Sequence, residues 1–266
     1  MAELRSLGVM TIATNKYVHY WKDLALSIDS LANSKVKVTL HVFTDEVEII
    51  EAFRREIDVE VVIHQIPRYG WPEATLYRYR IFHENKESLK EDILMHIDAD
   101  MLVFDNFKFE NLDKSLRSGV CLVQHPGYFR PAGKKLIQYY LRNPKSLTSD
   151  FKTLLAFGGI GAWEQNKKSS AFVPRKNRKD YFCGGIWWGN NDEIMRLCKI
   201  LSKHVVEDEK SGVMASWHDE SHLNWWASQN NPGIENPRYC YADTYPQISD
   251  LECFVQAIDK AKSSHG

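Results

Sequence analysis

The chain has 266 residues, of which 44% are hydrophobic and 26% charged, enough to bury a sizeable core as one large domain or two lobes. Its 34 lysines and arginines nearly balance its 35 aspartates and glutamates, so the overall charge gives no reason to expect nucleic acid or an anionic membrane as a partner. No apolar window approaches about 18 residues and no targeting signal opens the chain, so we expect no transmembrane segment and a cytoplasmic protein, peripheral to a membrane at most. Five widely spaced cysteines without a CxxC pair predict reduced thiols rather than disulfides or a zinc site.

Strand and helix patterns alternate from the N-terminus. The strand-like runs are short, apolar and rich in β-branched residues: "GVMTIAT", "VKVTLHVFTD", "VEVVIHQIP" and "EDILMHIDADMLVF". Between the first three, "KYVHYWKDLALSIDSLA" and "EVEIIEAFRRE" carry apolar residues at helical spacing. This order predicts an α/β fold with an open parallel sheet, whose ligands bind beyond the carboxyl ends of the strands.

The segment 130–170 breaks this alternation. Its stretches "RPAGKK", "RNPKSLTSDF" and "AFGGIGAWEQNKKSS" mix glycine, lysine and short apolar patches. This composition predicts an insertion or a mobile lid rather than an element of the sheet.

The first chemical motif is "HIDADM", in which Asp98 and Asp100 follow a buried strand. On an extended backbone, residues two apart point to the same side. Paired carboxylates suit Mg²⁺ or Mn²⁺, which can bridge to the phosphates of a nucleotide. A bare D-x-D also occurs by chance roughly once in a chain of this length. The strand context favours a metal, because adjacent buried carboxylates repel each other unless a cation compensates them. The same repulsion predicts that replacing either aspartate with asparagine would not lower the stability of the protein.

The second motif is "WHDESHLN", residues 217–224. A structural interpretation is a helix that begins near Ser221, with Asp219 or Ser221 as its cap and the tryptophans in the core. A zinc peptidase needs H-E-x-x-H, whereas aspartate follows His218 here, which argues against that class. A Ser-His-Asp hydrolase with a nucleophile elbow needs G-x-S-x-G, and the sequence has none.

"WHDESHLN" resembles the most diagnostic stretch of glycosyltransferase family 6, the family of the histo-blood-group A and B transferases and the α-1,3-galactosyltransferase. Other stretches agree with the family in order: "IATNKYV", "HVFTD", "WPEATLYRYRIF", "IDADMLVF", "HPGYF", "FCGGIWWG" and "NPRYCYAD". The similarity covers about Gly8 to Asp243, apart from 130–170. The resemblance implies a GT-A fold, with a Rossmann-like, mostly parallel central sheet flanked by helices. It also implies transfer of galactose or N-acetylgalactosamine from a UDP-sugar donor to an oligosaccharide acceptor, with retention of the α configuration.

The resemblance also implies where the donor binds. Tyr17 matches the residue that stacks on uracil, and the backbone of Ile12, Ala13 and Thr14 lines the base. Arg78 matches an arginine that pairs with donor phosphate or sugar hydroxyls through its planar fork.

Asp98 and Asp100 match the D-x-D that holds Mn²⁺, or alternatively Mg²⁺, against the diphosphate, with Ala99 between them at the donor. Members with N-x-N work without metal, so the acidic version predicts metal dependence. The remaining donor-binding residues implied by the resemblance are Cys183, Gly184, Gly185, His218 and Asp219.

Glu220 matches the family glutamate on the β face of the donor sugar, so it is the expected catalytic residue. A covalent glycosyl-enzyme and front-side attack within an ion pair both remain open. The resemblance implies these acceptor-binding residues: His125, Trp217, Glu220 and Tyr241.

The donor is predicted from "FCGGIWWG". In family members that use N-acetylgalactosamine, glycine tends to occupy the position of Gly185, where it leaves room for the acetamido group; Gly127 points the same way. We therefore expect a retaining α-1,3-glycosyltransferase that moves GalNAc from UDP-GalNAc to a fucosylated galactoside such as Fucα1,2Gal. The alternatives are UDP-Gal as donor, a UDP-sugar hydrolase, or a non-catalytic glycan-binding module.

On this basis we expect one catalytic domain over 1–266. Its nucleotide-binding half is about 1–105 and its acceptor and catalytic half about 106–245, with the insertion at 130–170. A C-terminal tail occupies 246–266.

The chain also departs from the longer relatives. It shows no membrane anchor or stem, which suggests a soluble bacterial or phage-type enzyme. The tail "AIDKAKSSHG" has no clear match to the basic tail that closes over UDP in animal members, so Lys260 and Lys262 are both candidates for a phosphate contact. The unmatched insertion leaves the acceptor open, because loops beyond the sheet decide acceptor fit.

Overall fold

The structure is a computed structural model that describes residues 5–32, 35–242, 244–245 and 248–260. These residues form nine strands and eight α-helices. The strands are β1 (Arg5–Ile12), β2 (Val36–Thr44), β3 (Glu60–Gln65), β4 (Ile93–Ile97), β5 (Met101–Val103), β6 (Val120–Gln124), β7 (Phe182–Asn190), β8 (Gly233–Glu235) and β9 (Val255–Ala257). The helices are α1 (Tyr17–Asp29), α2 (Val47–Phe53), α3 (Glu73–Leu76), α4 (Arg78–Glu84), α5 (Lys134–Arg142), α6 (Pro144–Phe157), α7 (Asn191–Lys210) and α8 (His218–Gln229).

Seven strands form the central sheet in the order β3-β2-β1-β4-β7-β6-β8. Strands β3, β2, β1 and β4 pair in parallel, β7 runs antiparallel to β4 and β6, and β8 pairs in parallel with β6. Only β7 therefore runs against the others. The predicted α/β fold with a mostly parallel central sheet flanked by helices is confirmed.

Side chains alternate between two cores, one on each face of the sheet. On β4, Met95 packs into the core that contains Trp21 of α1, whereas Leu94 packs into the core that contains Phe82 of α4 and Trp226 of α8. All five residues of β4 are buried because helices cover both faces, which explains why its sequence is a continuous apolar run.

The chain around the aspartate pair differs from its prediction as one strand. β4 ends at Ile97, a turn holds residues 98–100, and β5 starts a separate two-stranded sheet by pairing antiparallel with β9. The strand breaks because β5 leaves the central sheet to pair with the C-terminal segment. The two aspartates thus lie on a turn at the carboxyl edge rather than on an extended strand.

The predicted start and caps of the helix in the second motif are wrong. α8 begins at His218, and neither Asp219 nor Ser221 caps it, since both lie in its first turns. Instead, the backbone N–H of Trp217 donates to Ser221 Oγ at 3.0 Å, so the serine ties the chain that enters the helix.

The segment 130–170 contributes two helices, α5 and α6, and no strand, as expected for an insertion. Within the described parts of the chain, none of the helices combines the length and apolar character that crossing a bilayer requires.

Candidate active site

A cavity of about 290 Å³ opens at the carboxyl ends of β1 and β4, near the lower end of the range for small-molecule sites. The loop before α3 forms one wall, where Thr14 Oγ1 donates to the Tyr69 carbonyl at 3.1 Å. Seven of the predicted donor-site residues line this cavity: Ile12, Thr14, Tyr17, Arg78, Asp98, Ala99 and Asp100. The edge of the sheet where the sequence predicted a ligand therefore holds a cavity.

Arg78, in the first turn of α4, joins both chemical motifs. It is 4% exposed. Its guanidinium forms ion pairs with Asp98 Oδ1 at 3.1 Å and Asp219 Oδ2 at 3.3 Å. Nη1 also lies 2.7 Å from His96 Nε2 and donates to the Gly184 carbonyl at 2.7 Å. Burial would lower the pKa of this guanidinium, but the two carboxylates outweigh it and raise that pKa, so Arg78 is a fixed positive charge between β4, β7 and α8.

The two aspartates of the first motif lie in opposite electrostatic environments. Burial raises the pKa of Asp98, but Arg78 and His96 outweigh it and lower that pKa to about 2. The pKa of Asp100 is raised by burial and by Asp98, although Lys260 Nζ lies 2.7 Å from its Oδ2. The predicted repulsion between the two carboxylates is therefore seen in the raised pKa of Asp100. At Asp98 the positive charge of Arg78 outweighs it.

The aspartate pair fits a hard divalent cation. Two carboxylates meet on one turn at the cavity wall, and no cluster of three or more His, Cys, Asp or Glu side chains among the described residues forms a self-contained metal site. A cation here would take its remaining oxygen ligands from phosphates and water, which is how Mg²⁺ and Mn²⁺ bind with nucleotides.

Glu220, in the first turn of α8, is held from two directions. The Gly184 backbone N–H donates to its Oε2 at 2.9 Å, and the Tyr181 hydroxyl donates to the same carboxylate. Burial raises the pKa of Glu220 to about 7, although both hydrogen bonds oppose that shift. Burial likewise raises the pKa of its neighbour Asp219 to about 6 against the attraction of Arg78. Two partly protonated carboxyls therefore lie beside a permanent cation.

The glycines of β7 allow the strand to contact both acidic motifs. A Cβ on Gly184 would lie 2.8 Å from Asp219 Oδ2. A Cβ on Gly185 would lie 2.7 Å from Met101 Cε and 2.9 Å from Asp98 Oδ2. Because real Cβ atoms essentially never approach so closely, a side chain at either position would displace a carboxylate.

Outside the cavity lining, three predicted residues are engaged in the core or in strand pairing: Ala13, Cys183 and Tyr241. Ala13 is fully buried, its N–H donates to the Phe43 carbonyl, and its own carbonyl accepts from Thr44 Oγ1. Cys183 is buried in the core, and a hydrogen bond with Cys240 together with burial raises its thiol pKa. Tyr241 bonds through its backbone to Val255 and Ala257 of β9.

The remaining predicted residues lie around α8 and the end of β6. His218 begins α8 at φ 45°, a conformation that non-glycine residues seldom adopt, and its ring lies edge-on to Trp71 at 4.9 Å. Trp217 is 54% exposed. His125 follows β6, and burial lowers its pKa to about 4, so its ring is neutral at physiological pH. It packs against Tyr128 at 4.9 Å.

Comparisons with known proteins agree with these motifs. The family model described as Glycosyltransferase family 6 matches residues 160–264. The histo-blood group ABO system transferase 1 of Rattus norvegicus is 25% identical over 241 residues, which cover 89% of this chain and 61% of the relative. The globoside alpha-1,3-N-acetylgalactosaminyltransferase 1 of Gallus gallus is 23% identical over 251 residues, which cover 92% of this chain and 64% of the relative. The O-antigen biosynthesis glycosyltransferase WbnI of Escherichia coli is 22% identical over 259 residues, which cover 97% of this chain and 96% of the relative.

The chain is similar to glycosyltransferase family 6. The predicted resemblance to this glycosyltransferase family, which includes a bacterial protein, is confirmed. The chain spans about three-fifths of the length of the rat and chicken relatives but nearly all of the Escherichia coli one. The family model covers "FCGGIWWG" and "WHDESHLN", whereas the aspartate pair lies outside it and within the longer alignments.

The structure also brings residues to the cavity that the sequence did not assign. Tyr69 and Trp71 line it from the loop before α3. Tyr69 was visible only as an aromatic in a glycine- and proline-containing stretch, whereas Trp71 begins the matching stretch "WPEATLYRYRIF" without a role assigned to it. Lys260, one of two lysines considered, lies 3.0 Å from the Tyr17 hydroxyl and 2.7 Å from Asp100 Oδ2. The other candidate, Lys262, and Asp243 at the end of the resemblance lie outside the described residues.

Proposed function

We propose that this protein is a retaining α-1,3-glycosyltransferase that transfers GalNAc from UDP-GalNAc to a fucosylated galactoside such as Fucα1,2Gal, with Mn²⁺ or Mg²⁺ at Asp98 and Asp100. The contact network of Arg78 carries this proposal, because one buried guanidinium links Asp98, which lines the cavity, to Asp219 of the second motif. The match to the family model and the similarity to relatives named as ABO and α-1,3-N-acetylgalactosaminyl transferases support it.

The donor enters the cavity with its uracil towards Tyr17 and its diphosphate towards the aspartate pair. A bound divalent cation would neutralise the negative charge that builds on the departing diphosphate. Arg78 orients the Asp98 carboxylate for this purpose, since its fork is already engaged by protein groups. Its role in the proposal is therefore to position carboxylates rather than to contact phosphate directly.

Glu220 acts on the sugar. Its ionised carboxylate stabilises the positive charge that develops at the anomeric carbon, either as a nucleophile or as the partner of an ion pair. The hydrogen bonds from Gly184 and Tyr181 hold its orientation. Asp219 and His218, one and two residues before it, bind sugar hydroxyls.

The acceptor binds on the side of Trp217 and His125. An exposed indole offers an apolar face for a pyranose ring, and the neutral imidazole presents no charge to it. Tyr128 and Tyr181, which pack against this histidine, extend the aromatic surface towards Glu220.

The argument from Gly185 for GalNAc as the donor is weaker than the sequence alone suggested. The space beside Gly185 is occupied by Met101 and Asp98, so the glycine is required for close packing whatever the donor is. GalNAc is supported instead by relatives named as N-acetylgalactosaminyltransferases and by the resemblance at Gly127. UDP-Gal remains the alternative donor for the same site.

The test is to incubate the protein with UDP-GalNAc or UDP-Gal and Mn²⁺, with and without Fucα1,2Gal, and to separate the products chromatographically. Extension of the disaccharide by GalNAc through an α-1,3 linkage supports the proposal. Free sugar alone would indicate a UDP-sugar hydrolase, and binding without turnover would indicate a non-catalytic module. An Asp98→Asn variant and an EDTA control show whether any turnover uses the proposed metal site.

A further inference from the structure

Helix α6 turns its apolar face to solvent. Leu147, Phe151, Leu154 and Leu155 follow the i, i+4, i+7, i+8 spacing of a single helix face, and they are 50–63% exposed. On the side that faces the protein, Asp150 is buried. This arrangement is the reverse of an ordinary surface helix, whose apolar face packs on the core.

The preceding helix α5 extends the same surface. Ile137 and Leu141, one turn apart, are 63% and 77% exposed. Together with Phe157, the hairpin α5–α6 accounts for seven of the 13 exposed large apolar side chains among the described residues. Scattered exposed apolar residues are normal, but such a concentration in one hairpin marks an interaction surface.

The hairpin and the segments that flank it in sequence are rich in positive charge. Residues 130–180 contain 12 lysines and arginines and three aspartates and glutamates, a net charge of +9, whereas the whole chain has a net charge of −1. Within the hairpin, every charged side chain other than Asp150 is basic and exposed: Lys134, Lys135, Arg142, Lys145 and Lys152. The near-neutral total composition conceals this segregation.

The hairpin is anchored to the protein through polar contacts on its inner side. Arg130 forms a two-pronged ion pair with Asp150 at 2.5 and 2.6 Å, and Tyr140 donates to the same carboxylate at 2.9 Å. Arg175 and Arg178 donate to the last backbone carbonyls of α6. These contacts hold the apolar face outward.

We propose that the α5–α6 hairpin docks this protein on an anionic lipid bilayer, with its leucines and phenylalanines in the interface and its lysines on the lipid headgroups. Stable attachment to a bilayer needs two weak signals, and an apolar face beside a polybasic patch supplies both. A second copy of the chain is the less favoured occupant, because pairing this face with itself would bring two segments of charge +9 together. The inference does not depend on the proposed transfer chemistry.

Vesicle co-sedimentation of the full chain tests the proposal directly. We expect binding to vesicles of equal parts phosphatidylcholine and phosphatidylglycerol, and at least about tenfold weaker binding to vesicles of phosphatidylcholine alone. Added salt should weaken the binding to the vesicles that contain phosphatidylglycerol. No binding to the anionic vesicles at low salt would overturn the proposal.

Two pairs of variants locate the surface. Binding to the anionic vesicles should weaken by about tenfold or more in each of two double variants, Leu147→Gln/Leu154→Gln and Lys145→Glu/Lys152→Glu. The matched controls Leu26→Gln/Ile234→Gln and Lys37→Glu/Lys199→Glu change exposed residues elsewhere and should bind like wild type. Thermal melting of each variant checks that it is folded.

Two results would contradict the docking surface. Hairpin variants that bind like wild type would show that vesicles attach elsewhere. A wild-type dimer in sedimentation velocity that the Leu147→Gln/Leu154→Gln variant converts to monomer, without vesicle binding, would show that the face pairs with a second copy.

Discussion

Replacing Glu220 by glutamine should reduce activity and raise stability together. The variant keeps the shape of the side chain and the acceptor for the Gly184 N–H, but it removes the negative charge that stabilises the cationic sugar. Loss of one such charge should lower kcat by about 10²–10⁴-fold, with little change in donor binding.

The gain in stability follows from the raised pKa of Glu220. Burial shifts this pKa from 4.5 to about 7, so ionising the carboxyl in the folded protein opposes folding. At about 1.36 kcal/mol per pKa unit, the ionised glutamate destabilises the fold by roughly 3 kcal/mol above pH 7. Glutamine avoids this penalty, so at pH 8 the variant should melt roughly 5–10 °C higher than wild type.

The difference in stability between Glu220→Gln and wild type should depend on pH. Below about pH 4.5 the carboxyl is protonated in both folded and unfolded states, so the two proteins should differ little. Between pH 4.5 and 7 the wild type progressively loses stability relative to the variant. Calorimetry across this range, with turnover measured on the same preparations, gives both readouts. The control is Glu87→Gln, whose side chain is 89% exposed and which should change neither quantity.

A lower melting temperature for Glu220→Gln at pH 8 would refute the assigned environment of this carboxyl. Turnover within a few-fold of wild type would refute its catalytic role. A purely structural glutamate would lose stability and activity together, which is the opposite pattern.

Asp98→Asn and Asp100→Asn should both abolish stimulation by Mn²⁺, and equal turnover in EDTA and in Mn²⁺ for the wild type would exclude the metal site. At pH 7 only Asp98→Asn should melt lower, because the pKa of Asp98 is lowered to about 2 and Arg78 loses one of its two carboxylate partners, whereas the pKa of Asp100 is raised. Equal melting of both variants would contradict this. Gly185→Ala should lower turnover with UDP-GalNAc and UDP-Gal alike, by about tenfold to hundredfold, since its Cβ would lie 2.9 Å from Asp98 Oδ2 and must displace that carboxylate. A selective gain for UDP-Gal would show instead that residue 185 reads the acetamido group. The kcat/KM of wild type should rise as pH increases through about 7, where Glu220 ionises, and a flat profile from pH 5 to 8 would disprove this assignment.

The local patterns of the sequence were sufficient to predict the fold class and to identify the two acidic motifs. Alternating strands and helices predicted the parallel half of the sheet, because side-chain periodicity reports which face of each element is buried. The run "ILMHI" followed by acids placed Asp98 at a carboxyl edge, since a fully buried strand must be apolar along its whole length.

Contacts between distant parts of the chain required the tertiary structure. The order β1-β4-β7 brings Gly184 and Gly185 beside β4, and the packing of α4 and α8 places Arg78 between Asp98 and Asp219. No short-range pattern encodes these neighbours, because they depend on which strands pair.

The net charge of the whole chain does not describe how charge is distributed along it. The whole chain has a net charge of −1, whereas residues 130–180 have a net charge of +9 and include the hairpin with the exposed apolar face. The apolar residues of α6 follow the spacing of an amphipathic helix, which the sequence analysis did not identify, and spacing alone does not say which face turns inward. Asp150 decided that orientation, because its buried ion pair with Arg130 holds the polar side of the helix against the protein and leaves the leucines in solvent.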